Sequence, residues 1–177
     1  MSQSGTDEPA ITSNVTFPAG HVVQIVGFQS STAHNVTTSS ATNITPTEAS
    51  ITIKNSNPLI LYHVVMGVEP DASSYNYVYF RALYKNQTDG GSYAAIDNPN
   101  NTNVRINGNS GSDSTGSCQS VLSVYHNLTA DAGDQIYYIV EFEQYLTASY
   151  QFNQQSLSGQ PSGSSNFTQG YIMEFSR

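Results

Sequence analysis

Apolar and polar residues alternate with a period of two along most of this chain. In Gln135–Tyr145, Ile136, Tyr138, Val140 and Phe142 interleave with Tyr137, Ile139, Glu141 and Glu143, the signature of a strand with one inward face. In Asn76–Tyr84, Val78, Phe80, Ala82 and Tyr84 fall on one face, with Tyr75, Tyr77, Tyr79 and Arg81 on the other. Val22–Phe28 and Gln169–Phe175 repeat the pattern, and Ser117–His126 places Cys118, Leu122 and Val124 together. Leu59–Val68 is apolar at both parities, as a strand covered on both sides would be. No window carries apolar residues at helical spacing over three turns.

Turn-forming stretches separate these runs: Asn55–Pro58, Glu69–Ser74, Asn86–Gly91, Asn98–Asn103, Asn107–Gly116, Asp131–Asp134 and Gly159–Ser165. Gly133 reads as a hairpin position that needs positive φ. With weaker candidates near Val36–Thr38, Ala49–Lys54 and Tyr93–Ile96, the chain holds about eight to ten strands. The expected fold is all-β, a two-sheet antiparallel sandwich of jelly-roll type. Residues 1–20 are polar and read as an extended N-terminal arm, ordered only by contact with something else, and residues 21–177 read as one domain.

Composition narrows the function. Of 177 residues, 13 are acidic and 5 basic, and Lys54, Arg81, Lys85, Arg105 and Arg177 are scattered. Phosphate backbones and anionic membranes both need clustered cations, so neither nucleic acid nor membrane is an expected partner. Met1–Gly20 carries no basic start and no apolar run, so synthesis in a cytoplasm without a signal peptide is expected. The seven Asn-X-Ser/Thr sequons are then incidental.

Candidate chemistry is sparse. His21, His34, His63 and His126 are far apart and fit no metal or triad spacing. The lone Cys118 reads as a small buried hydrophobe. Asp131 and Asp134 flank a turn, and Glu141 and Glu143 share one strand face, which reads as solvated. Asn107–Gly116 resembles a calcium loop only at Asn107, Asn109 and Asp113, and Cys118 stands where the bidentate Glu belongs. No enzyme activity, cofactor or metal is expected. The row Tyr75, Tyr77, Tyr79 beside Arg81 is a candidate subunit interface, because Tyr and Arg are enriched at such contacts. A second buried face or a carbohydrate platform are its alternatives.

Three segments also occur in a familiar order: GHVVQIVGFQ (Gly20–Gln29), the ITP of Ile44–Pro46 leading into SITIKNSNPLILYHVVMGV (Ser50–Val68), and the closing GYIMEFSR (Gly170–Arg177). With the FRAL step of Phe80–Leu83, they resemble a domain of virion surface proteins from tailed bacteriophages, especially of aquatic hosts. It occurs at the ends of tail fibres and in stand-alone surface proteins. The resemblance spans about residues 20–177. It departs from the family pattern at Lys54 and Asn55, where small Ser residues are usual. It implies a trimeric β-sandwich on the virion surface, a capsid decoration or cement protein or a tail-fibre component. Its partners would be copies of itself and other capsid or tail proteins. The alternative is a tail-fibre module that binds a receptor or a host surface glycan, with Asn86–Gly91 and Asn98–Gly116 as its recognition loops.

Overall fold

The computed structural model describes residues 18–70, 77–96, 106–107, 118–144, 150–153 and 167–177. These residues form strands and connections with no helix, as the two-residue period predicts. The strands are β1 (Val22–Ser30), β2 (His34–Val36), β3 (Thr42–Thr52), β4 (Leu59–Pro70), β5 (Tyr77–Asn86) and β6 (Ala94–Ala95). They continue with β7 (Ile106–Asn107), β8 (Cys118–Asn127), β9 (Gln135–Gln144), β10 (Tyr150–Phe152) and β11 (Thr168–Phe175).

Every pairing is antiparallel. β8 takes one edge of β4 along Leu59–Val68, while β11 and β10 share the other edge in tandem. β1 lies outside β11, and β2 lies outside β10. The first sheet therefore runs β1/β2, β11/β10, β4, β8. The second runs β3, β9, β5, with β6 and β7 on the far edge of β5. Merging the tandem pieces leaves eight strand positions, ordered 1-8-3-6 in one sheet and 2-7-4-5 in the other. That is the jelly-roll arrangement of two interlocked Greek keys.

Inward-facing residues of both sheets make one core. Ile60, Tyr62, Val64, Met66, Leu122, Val124 and Ile172 come from the first sheet, and Ile51, Val78, Phe80, Ile136, Tyr138 and Phe142 from the second. Aromatic rings bridge the layers: Tyr62 stacks on Phe28 at 6.0 Å and on Tyr138 at 5.4 Å, and Phe142 meets Phe80, Tyr150 and Phe152 at 5.0–5.5 Å. Such contacts add to the burial energy of the rings.

Three local features depart from the plain strand pattern. First, the ITP step is a bulge. Ile44 pairs with Val140 and Ala49 with Tyr138, so four residues of β3 stand opposite Ile139. Thr47 repairs the ladder there, its hydroxyl donating to the Ile44 carbonyl at 2.6 Å and accepting from the Val140 amide at 2.8 Å. Second, Gly133 has φ of 100° as expected, yet its turn is not a hairpin. It links β8 of the first sheet to β9 of the second, so the chain turns a corner of the sandwich. The two strands bury opposed faces in one core, which side-by-side pairing would not allow. Third, Gly170 has no room for a side chain. A Cβ there would stand 2.1 Å from the His63 carbonyl oxygen and 2.8 Å from the Phe28 ring, and Phe28 covers it from the neighbouring strand.

Pro18–Gly20, at the base of the expected arm, are tied to Ser176. The Gly20 amide donates to the Ser176 carbonyl at 2.8 Å, and the Ser176 hydroxyl donates to the Pro18 carbonyl. Residues 1–17 lie outside the described residues, as do the candidate calcium loop beyond Asn107 and the recognition loop over 98–105.

Candidate functional site

The two outer sheet faces carry different chemistry. On the second sheet, the register sets Tyr79 beside Glu143, Arg81 beside Glu141, Leu83 beside Ile139 and Lys85 beside Tyr137. The Arg81 guanidinium is paired with the Glu141 carboxylate, and Tyr79, Arg81, Glu141 and Glu143 line a depression of about 250 Å³. Lys85 Nζ lies 4.6 Å from the ring centroids of both Tyr93 and Tyr137 and 3.6 Å from Glu48. The Tyr93 hydroxyl donates to that same carboxylate. Leu83 and Ile139, in the middle of this face, are buried.

The expected interface row thus lies partly on this exterior. Tyr79 is 38% exposed and Arg81 points outward. Tyr75 and the side chain of Tyr77 lie outside the described residues, as does the side chain of Cys118. Arg81 is engaged within its own chain, and Glu141, read as solvated, is its partner.

The outer face of the first sheet was not singled out by the pattern, and it is the more unusual one. Cross-strand register aligns Ile25, Met173, Leu61 and Tyr125 in one row. The next row is Gly27, Tyr171, His63 and Ser123, and the third is Gln29, Gln169, Val65 and Val121. Ile25 is 58% exposed, Tyr125 49% and Val121 47%, while Leu61, Val65 and Met173 are half-buried. The expectation that Leu59–Val68 is covered on both sides is therefore half met. Its even positions form the core, and its odd positions Leu59, Leu61, His63 and Val65 stay partly exposed. An apolar strand buried on both faces reads identically whether its second cover is its own chain or a partner. The signal that could have found this face was the second apolar parity of Leu59, Leu61 and Val65, combined with Ile25 and Met173 opposite them.

No position in these three rows bears a fixed charge. His63 is half-buried, and desolvation lowers its pKa, so the ring is neutral near pH 7. Its Nδ1 lies 2.6 Å from the Ser123 hydroxyl, and its ring stacks on Tyr171 at 4.8 Å with 21° between planes. These two rings form one wall of a cleft of about 490 Å³, and Gln29, Gln169 and Val65 form the other.

No family model matches the chain, and no curated protein matches it. Solved structures show distant likeness, among them the following two. The CBM22-1 xylan-binding domain of Paenibacillus barcinonensis Xyn10C is 8% identical, with a TM-score of 0.33 over 92% of this chain and 99% of that one. A structure of Desmodium yellow mottle tymovirus is 12% identical, with a TM-score of 0.26 over 97% of this chain and 96% of that one. At such identities and scores neither assigns a family. Among the described residues, no three His, Cys, Asp or Glu side chains converge as a metal site would require.

Proposed function

We propose that this chain is a non-enzymatic structural protein of a tailed-phage virion, a homotrimeric β-sandwich serving as capsid decoration protein or tail-fibre component. The single observation that carries the self-association is the row Ile25, Met173, Leu61 and Tyr125, an apolar strip across β1, β11, β4 and β8 of one sheet. Contiguous exposed apolar surface of this kind marks a contact site in a soluble protein.

Charge favours a second copy as its cover. At a net charge of −8, two copies repel at most approaches. The three rows of the first sheet carry no fixed charge, whereas Glu48, Arg81, Lys85, Glu141 and Glu143 crowd the other face. Pro18–Gly20 are tied to Ser176, just past the end of β11, so an added contact onto a neighbour would come from residues 1–17. On the second sheet Glu141 is neutralised by Arg81, which suits a structural ion pair better than one half of a two-carboxylate hydrolase.

Sedimentation analysis tests the assembly. The wild type is expected at about 57 kDa, three times the 19.1 kDa chain. Tyr125→Glu is expected to sediment as a monomer, and Tyr79→Glu as the wild type. A monomeric wild type, or a Tyr125→Glu variant of unchanged mass, would remove the proposal. Antibody labelling of purified particles tests the virion location, and unlabelled particles would refute it.

A further inference from the structure

The cleft on the first sheet is distinct from the apolar row, lying on the other side of the Tyr171–His63 pair. It runs across β11 from β1 to β4, about 10 Å over two strand spacings, and its volume of about 490 Å³ is within the range of small-molecule sites. We infer that it is a binding site for a neutral carbohydrate, with Tyr171, backed by His63, as the stacking wall and Gln29 and Gln169 as the hydrogen-bonding wall.

Three observations point to that ligand class. The first is the division of chemistry between the walls. His63 covers one face of the Tyr171 ring, and the other face, toward Gly27 in β1, is left for the C–H face of a pyranose. The facing Gln29–Gln169 cross-strand pair offers two amides, each both donor and acceptor, to hydroxyls at the ring's edge. The second is charge: no lining residue carries a fixed charge, so nothing in the cleft compensates a carboxylate, a phosphate or an ammonium group. The third is Gly27. Its backbone is not in the left-handed region, and a Cβ there would meet nothing closer than 4.0 Å. The fold does not require glycine at this position. Between Ile25 and Gln29 the missing side chain leaves the cleft open at the β1 edge, beside the Tyr171 ring.

This inference does not rest on self-association, and the two are tested separately. Labelled wild-type protein is applied to an array of neutral and acidic glycans, and the strongest neutral glycan is then titrated by calorimetry, which reads single-site affinity free of avidity. Saturable binding to neutral glycans is expected. Tyr171→Ala and Gly27→Val, which remove the stacking wall and fill the open end, are each expected to weaken binding at least tenfold. Gly27→Val places a β-branched residue on a strand with open space above it, so a loss in that variant with an unchanged melting temperature is not a folding defect. Tyr125→Glu is expected to bind as the wild type, whatever its mass. No saturable binding, or binding to acidic glycans alone, would overturn the inference. It would equally be overturned if Tyr171→Ala and Gly27→Val bound as the wild type, or lowered the assembly mass without weakening binding.

Discussion

At the scale of single residues, the least expected group is Glu174, which is fully buried on the inward face of β11. Its carboxylate accepts from the backbone amides of Lys54 and Asn55 at 2.8–3.1 Å and from the Gln24 amide. It thereby fastens the β3–β4 connection to the last strand. Glu174→Ala takes the acceptor from the Lys54 and Asn55 amides, while the Gln24 amide keeps its bond to the Thr52 carbonyl. It is expected to cost about 2 kcal/mol, whereas Glu174→Gln keeps an acceptor and costs about 1 kcal/mol. Urea denaturation of the two variants checks the order. His126 is a second buried polar group, its Nδ1 3.0 Å from the Tyr138 hydroxyl, and burial pushes its pKa down to about 4. The unfolded chain takes up this proton near pH 6.5, so between 6.5 and 4 the unfolded state binds more protons and stability falls as pH falls. The loss is complete below about pH 4 and amounts to about 3 kcal/mol. Thermal melts of wild type and His126→Gln at pH 7 and pH 4 are expected to show a smaller acid-induced drop in the variant. Equal drops would assign the acid lability elsewhere.

At the scale of elements, the long strands were legible because a period of two survives wherever one face meets the core and the other meets water. β1, β4, β5, β8, β9 and β11 follow the pattern to within a few residues. β10 and β7 escaped notice because two or three residues are too few to show a period. The first half of β3 was hidden by its bulge, since Thr45–Glu48 shift the alternation and Pro46 reads as a breaker. Turn chemistry identified the positive φ of Gly133, but not that the turn changes sheets, because local sequence specifies a turn's backbone and not which strands later pair. The apolar face of the first sheet was illegible for a related reason: its rows combine residues from four strands, and β1 meets β11 only across some 150 positions of chain. Gly170 belongs to this scale as well, because its constraint comes from β4 and β1 together. Gly170→Ala is expected to push β11 away from the His63 carbonyl and destabilise the protein by about 3 kcal/mol, at the upper end of overpacking costs. A melting temperature within one degree of wild type would show that β11 shifts freely.

At the scale of the whole molecule, the two faces differ in charge, and salt distinguishes them as proposed assembly surfaces. The net charge of −8 makes subunits repel one another over roughly a Debye length, about 10 Å at 0.1 M salt. If three copies meet through the uncharged row of Ile25, Met173, Leu61 and Tyr125, salt screens that repulsion while leaving apolar burial intact or strengthened. Association is then expected to tighten as sodium chloride rises from 0.05 to 0.5 M. If the copies meet instead through Tyr79 and Arg81, the contact depends on the ionic groups of the second sheet, with Arg81 exchanging its own Glu141 for a neighbour's. Screening weakens such pairs, and association would loosen over the same range. Sedimentation equilibrium at several salt concentrations reads the sign directly. A dissociation constant that rises with salt would move the interface to the face of Tyr79 and Arg81, leaving the apolar row for a partner other than this chain.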